Sequence, residues 1–168
     1  KEVYGFEAPT YVMYDFIRIK GGGGKMSSSS GNVTTLTDVL EIYEPEVTRY
    51  LFAGTRPNRE FAISFDVDVI AIYEEFDKVE RVYYGEHKVN EKDTIKMSVA
   101  YELSYIGKIP KTIPYQPSFR HLTTLLQIYE FDIDKVIGYF EKELKNEHDK
   151  KRIRKRAECA TNWVKKYA

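Results

Sequence analysis

The sequence predicts a mainly α-helical fold with a small β portion near its start. Apolar residues such as Val69, Tyr73 and Phe76 recur at helical spacing along the middle of the chain. Residues 11–20, by contrast, are rich in aromatic and β-branched side chains and run into a series of glycines, which favours a strand. Because 42% of the 168 residues are hydrophobic, the chain can build a packed core.

The first helices are predicted from residues that start or stop helices. Thr37 suits the N-cap of a short helix, and Pro45 suits the first turn of a second helix that runs to Gly54. After a turn in the sequence RPNREF, Asp66 can cap a longer helix that ends at Gly85. Together these segments predict a compact helical unit.

The second half of the chain is predicted to be helical except for one segment. Residues 95–103 alternate apolar side chains with polar or small ones, a period of two that predicts a strand, although their Ala, Met and Glu also favour helices. The three prolines of residues 110–117 predict an extended connector. Ser118 can cap the next helix, either Asp132 or Asp134 the one after it, and a last helix runs to the end.

Residues 21–32, with the sequence GGGGKMSSSSGN, predict a loop that binds phosphate. Glycines let the backbone approach an anion closely, serine hydroxyls add donors, and Lys25 adds a positive charge. A flexible glycine–serine linker is the alternative. The Walker pattern does not fit, because Ile19 stands where its first glycine is required and Met26 stands where a hydroxyl residue is required.

The same segment resembles the KMSKS-type signature loop of the class I aminoacyl-tRNA synthetases. Residues 25–29 read KMSSS, so Ser28 replaces the second lysine of that pattern. This form, followed by Gly31 and Asn32, is similar to the loop of the class I lysyl-tRNA synthetases. Three further segments resemble that family: EIYEPEVTRYLFAGTRPNREFAISFDVDVI (41–70), PYQPSFRHLTTLLQIY (114–129) and RAECATNWVKKYA (156–168).

The resemblance implies an enzyme that activates lysine with ATP, bound together with Mg²⁺, and then transfers the lysine to tRNA(Lys). The loop would stabilise the charge on the departing pyrophosphate. The residues with an implied catalytic role are Lys25, Ser27, Ser28 and Ser29, and those with an implied role in ATP binding are Gly24, Lys25, Met26, Ser27, Ser28 and Ser29. Two alternatives stay open: another class I synthetase, of the glutamyl type, and a stand-alone helical RNA-binding module.

The resemblance also implies three parts. Residues 1–35 would end a Rossmann-type catalytic domain, residues 36–88 would form a helical unit that resembles a stem-contact region, and residues 89–168 would begin an α-helical anticodon-binding domain. The H-x-G-H element of such catalytic domains is absent from these 168 residues, and residue 1 is a lysine. We therefore expect a fragment of a larger enzyme, and expect the fragment to be inactive by itself.

Basic residues near the end of the chain predict a strip that binds tRNA phosphates. The net charge is zero, yet residues 150–156, reading KKRIRKR, contain six Lys or Arg. A solvated helix face that binds nothing is an equal alternative. The predicted tRNA contacts are Arg49, Arg56 and Arg59 in the second part and Lys151, Arg152, Arg154, Lys155 and Arg156 in the third.

The sequence also argues against several classes of protein. It has no apolar run of about 18 residues and no signal-peptide pattern, which predicts a cytoplasmic protein with no membrane partner. Cys159 is the only cysteine, so no internal disulfide forms, and we expect this residue to serve packing. The three histidines share no metal-ligand spacing, so we predict no metal site.

Overall fold

The fold was obtained as a computed structural model that describes residue 5, residues 9–21 and residues 33–168. Its elements, in chain order, are β1 (Ile17–Ile19), α1 (Leu36–Ile42), α2 (Pro45–Ala53), β2 (Phe61–Ile63), α3 (Asp68–Tyr83), α4 (Glu91–Ser104), α5 (Phe119–Ile128), α6 (Ile133–Tyr139) and α7 (Glu147–Tyr167). The predicted class, mainly α with a small β portion, is confirmed.

The β portion is a parallel pair of three-residue strands. Ile17 pairs with Phe61 and Ile19 with Ile63, so β1 and β2 run side by side in the same direction. The predicted strand over residues 11–20 is therefore correct only near its end, at Ile17–Ile19, and β2 was missed. A strand this short depends on its partner's backbone, which no local pattern reveals.

The first three helices begin close to their predicted starts, but not always at the predicted caps. Thr35, rather than Thr37, caps α1 in a reciprocal capping box, in which the Asp38 amide donates to its hydroxyl and the Asp38 carboxylate accepts from its amide. Helix α2 begins at the predicted proline. Helix α3 has no side-chain cap, because the Asp66 carboxylate accepts from the adjacent Val67 amide instead.

The predicted strand over residues 95–103 is wrong, because this segment lies inside helix α4. Asn90 starts the helix by accepting a hydrogen bond from the Asp93 amide at 2.9 Å. Ala100 and Tyr101 face the core, while a second apolar stripe lies on the exposed side of the same helix. Two apolar faces on one helix produced the alternating pattern. The exposed stripe consists of Ile95, Val99 and Leu103.

Aromatic rings join helices from distant parts of the sequence. Tyr73 of α3 stacks on Phe119 of α5 with ring centroids 4.1 Å apart, and Tyr43, just after α1, stacks on Tyr73 with centroids 6.0 Å apart. Trp163 of α7 packs against Phe119 at 5.8 Å. The core therefore extends across the proposed boundary between residues 88 and 89. The three-part division itself stays a prediction.

The caps of the later helices agree with the sequence. Ser118 accepts from the His121 amide at the start of α5, and Asp132 accepts from the Lys135 amide at the start of α6. Asp132, rather than Asp134, is therefore the cap of α6. Helix α7 begins after Asn146 and is 21 residues long.

Cys159 lies in the core, as expected of a packing residue. It is 0% exposed, and burial raises the pKa of its thiol to about 12. Because the thiolate is the reactive form, we expect iodoacetamide at mildly alkaline pH to modify Cys159 only after denaturation. Mass spectrometry of native and urea-treated chain measures this. Equal labelling rates in the two states would contradict the buried position.

Candidate functional site

The described residues include the two ends of the phosphate-loop segment but not its centre. Gly24, Lys25, Met26, Ser27, Ser28 and Ser29 lie outside the described residues. On one side, β1 leads through Lys20 to Gly21, whose φ of +78° is in the left-handed region that favours glycine. On the other side, Thr35 and its capping box fix the start of α1.

A cavity of about 500 Å³ opens between these two ends. Beside it, the Lys20 ammonium pairs with the Asp68 carboxylate, which also accepts from the Ser64 hydroxyl at 3.1 Å. These two hydrogen bonds lower the pKa of Asp68. Asp68 is thus already paired within the protein. The residues that line the cavity are Ile19, Lys20, Gly21, Val33, Thr34, Asp38, Phe65, Asp66 and Tyr167.

The C-terminal end of α7 is attached to one wall of this cavity. The Trp163 indole donates to the Phe65 carbonyl at 2.9 Å, and the Tyr167 ring stacks on the Phe65 ring at 5.2 Å. Asn162 donates to the Glu41 carbonyl at 3.1 Å. Helix α7 therefore supports Phe65, which lines this cavity.

The prediction that Arg156 contacts tRNA is corrected by its burial. Its side chain is 0% exposed, and its guanidinium donates to Glu44 and to both carboxylate oxygens of Asp77 at 2.9 Å. It also donates to the Pro117 carbonyl at 2.9 Å and lies over the Tyr73 ring. A phosphate outside the protein cannot reach it.

The prediction for Arg152 is corrected for the same reason. Its side chain is 10% exposed, and one guanidinium nitrogen donates to both oxygens of Glu80 at 2.7 and 2.8 Å. Tyr101 and Gln116 also donate to Glu80. Burial by itself would raise the pKa of Glu80, but the Arg152 charge and these donors together lower it. Glu80 is therefore ionised and fully engaged.

Sequence reasoning missed this buried cluster of five charges, which we call the arginine cluster. A signal was available, since Asp77 and Glu80 occupy inward positions of α3 among Tyr73, Phe76 and Val79. Acids on the apolar face of a helix require partners. The members of the arginine cluster are Glu44, Asp77, Glu80, Arg152 and Arg156.

The other basic residues of α7 lie toward solvent. Lys151 and Arg154 are exposed and Lys155 is half-buried. Arg154 forms an exposed ion pair with Asp134 at 2.6 Å. Lys151 and Lys155 border a second cavity, of about 180 Å³. The predicted tRNA-binding strip therefore contains fewer accessible cations than the basic run at residues 150–156.

The three arginines predicted in the helical unit occupy two places. Arg49 donates to the Leu103 and Ser104 carbonyls at 2.8 and 3.1 Å, and so caps the end of α4. Arg56 and Arg59 are exposed near β2 and line another cavity, of about 340 Å³. Arg56 and Arg59 therefore share a cavity, and Arg49 lies elsewhere, against the end of α4.

Two absences apply to the part of the chain that the structure describes. In it, no three His, Cys, Asp or Glu side chains converge in a way that could hold a metal ion. None of the helices described is both long enough and apolar enough to cross a membrane.

Comparison with known proteins gives consistent matches. Residues 1–106 match the sequence model of the family described as tRNA synthetases class I (K). The chain is 48% identical over 167 residues to a lysine–tRNA ligase of Borreliella burgdorferi and 48% identical over 164 residues to one of Treponema pallidum. It is 43% identical over 174 residues to a lysine–tRNA ligase of Pyrococcus horikoshii.

These matches cover nearly all of the chain but only part of each relative. The alignments include 99%, 97% and 100% of the chain and 32%, 31% and 33% of the relatives, respectively. The chain thus spans about a third of the length of the relatives that it matches.

Proposed function

The chain belongs to the class I tRNA synthetases (K), and from this we propose that it is the loop-bearing part of an enzyme that joins lysine to tRNA(Lys) at the expense of ATP. The observation that carries the proposal is the KMSSS loop at residues 25–29, inside the segment that matches the family. Relatives named lysine–tRNA ligase, at up to 48% identity, support the choice of amino acid.

In the proposed reaction the lysine carboxylate attacks the α-phosphate of MgATP, and pyrophosphate leaves. Negative charge grows on the leaving group, so a cation and donors aimed at it stabilise the transition state more than the ground state. Lys25 supplies the charge, while Ser27, Ser28 and Ser29 with nearby amides supply the donors. Gly24 and Met26 are the remaining residues of the proposed ATP contact. Ser28 makes this loop less cationic than the KMSKS form.

The described residues on either side of the loop segment suit a role in ATP binding. A loop that closes over MgATP needs fixed ends, and here the ends are β1, held by β2, and the capping box of α1. We assign residues 1–35 to the end of the catalytic domain, 36–88 to a helical unit that contacts the tRNA stem, and 89–168 to the start of the anticodon-binding region.

The proposed tRNA contacts are the basic residues that solvent reaches. Exposed cations attract phosphates without base preference, and each contact makes binding more sensitive to salt. Arg49 keeps an exposed part, although its guanidinium also holds the end of α4. The set consists of Arg49, Arg56, Arg59, Lys151, Arg154 and Lys155.

Amino-acid-dependent ATP–pyrophosphate exchange tests the proposal in the full-length enzyme. We expect exchange with lysine and none with glutamate, followed by charging of tRNA(Lys). The 168-residue chain alone is expected to bind neither substrate productively, because it lacks the H-x-G-H element. Exchange with glutamate would indicate the glutamyl-type alternative, and RNA binding without any exchange would indicate a stand-alone RNA-binding module.

A further inference from the structure

The cavity of about 180 Å³ beside the arginine cluster has walls from four elements, and we call it the α2–α7 cavity. It lies between the start of α2, the middle of α3, the residue after α4 and the first half of α7. It is smaller than the roughly 300–1,000 Å³ of sites for drug-sized ligands, which limits an occupant to about one ring system. Its lining residues are Glu44, Glu46, Phe76, Glu80, Tyr105, His148, Lys151, Arg152 and Lys155.

Glu46 is the carboxylate of this cavity that remains available to a ligand. Glu44 already accepts from Arg156, and Glu80 accepts from Arg152 through both of its oxygens. Burial raises the pKa of Glu46, and its own backbone amide and the Arg152 charge only partly oppose this. Within the described part of the chain, no side chain donates a hydrogen bond to it. A desolvated acceptor of this kind favours a ligand with N–H groups.

Two aromatic rings and two lysines line the same cavity as this acceptor. Tyr105 and Phe76 supply apolar and aromatic wall, and the Tyr105 hydroxyl lies 3.4 Å from Nε2 of His148. Lys151 and Lys155 are four residues apart on α7, so their side chains share one face of the helix, and both line the cavity. The cavity therefore combines a hydrogen-bond acceptor, flat aromatic rings and positive charge.

We propose that the α2–α7 cavity binds one unstacked RNA base of the tRNA. The base lies against Tyr105 and donates an N–H to Glu46, while its phosphates contact Lys151 and Lys155. RNA-binding proteins recognise splayed-out bases by this combination of stacking and edge hydrogen bonds. A free polyphosphate fits worse, because Glu44, Glu46 and Glu80 all lie inside the cavity. This inference rests on the proposed function.

The first test measures the affinity of the full-length enzyme for a tRNA(Lys) transcript over a series of salt concentrations. Replacing Lys151 and Lys155 together with alanine is expected to weaken binding and to reduce the salt slope by about two, one per phosphate contact. The matched control replaces Lys92 and Lys96, two exposed lysines with the same spacing on α4, and is expected to change neither quantity. Equal effects of the two pairs would overturn the proposal.

The second test separates the ring of Tyr105 from its hydroxyl. Tyr105→Ala is expected to lower tRNA affinity by about tenfold, the effect of losing one base–aromatic stack, whereas Tyr105→Phe keeps the ring and most of the affinity. Thermal unfolding of both variants checks that they are folded. If the alanine variant is folded and binds as tightly as the parent enzyme, no base stacks there.

The third test concerns the edge of the base. Adenine, guanine and cytosine can donate to Glu46 through an amino group and uracil through N3–H, whereas N3-methyluracil has no N–H on its edge. UMP is therefore expected to compete with the transcript better than N3-methyl-UMP does, and Glu46→Gln is expected to reduce that preference. Equal competition by UMP and N3-methyl-UMP would overturn the assignment of Glu46. Absence of lysine-dependent exchange in the parent enzyme would instead contradict the proposed function, so the two failures are distinguishable.

Discussion

Replacing Lys25 with alanine in the full-length enzyme is expected to slow lysine-dependent ATP–pyrophosphate exchange by about 100- to 1,000-fold, or about 2.7–4 kcal/mol of lost transition-state stabilisation. Lys25 is the single basic residue of the sequence segment 21–32. The charge of Lys25 acts on pyrophosphate as the pyrophosphate leaves. Removal of this charge is therefore expected to lower kcat and to change the KM for lysine little.

Two further variants show whether charge at this position is responsible. Lys25→Arg keeps a cation with different geometry, and we expect it to recover part of the rate. Lys92→Ala removes an exposed lysine of α4 and is expected to leave exchange unchanged. Steady-state exchange assays with varied lysine and ATP give the kinetic constants. A Lys25→Ala enzyme that exchanges at nearly the parent rate would remove the role proposed for this residue.

Arg156→Met is expected to lower the free energy of unfolding by about 3–5 kcal/mol, because removal of one partner leaves buried charge without compensation. Arg156 is 0% exposed and binds two acids, Glu44 and Asp77, which are 5% and 6% exposed. Methionine fills much of the volume and isolates the electrostatic loss from a cavity effect. Urea denaturation of the 168-residue chain, followed by circular dichroism, measures the change.

Arg154→Met provides the matched control, since it removes the same side chain from the same helix. Its ion pair with Asp134 is exposed, and such pairs contribute at most about 1 kcal/mol. We also expect that replacing Glu44 and Asp77 by apolar residues together with Arg156 recovers much of the stability. Equal destabilisation by the Arg154 and Arg156 variants would show that burial of the arginine cluster does not determine how much the cluster contributes to the free energy of unfolding.

Local signals predicted the starts of helices α2, α5 and α6 correctly. Pro45, Ser118 and Asp132 act within one turn of their own positions, so the sequence around each was sufficient. Strand β2 was missed, and part of helix α4 was predicted as a strand, for different reasons. The strand depends on a partner more than forty residues away, between Ile17 and Phe61, and the helix carries apolar residues on two faces.

The residues of the candidate site also differ in whether the local sequence is enough to predict them. A continuous motif such as residues 25–29 can be recognised from its letters alone, and its role stays a proposal. The run at residues 150–156 could not be divided into inward and outward cations from its letters, because the acids that bury two of them are distant. Arg152 and Glu80 are 72 positions apart, and Arg156 and Asp77 are 79 apart.

The position of α7 in the chain also affects the order in which the protein can fold during synthesis. Its hydrogen bonds to Phe65, Glu44 and Glu41 join residues that are 98, 112 and 121 positions apart. The ribosome therefore makes the acids of α2 and α3 long before the arginines that neutralise them. Until α7 emerges, the nascent helices carry carboxylates that cannot be buried without protonation. Completion of the core is thus a late, non-local event, which slows folding relative to a bundle with local contacts.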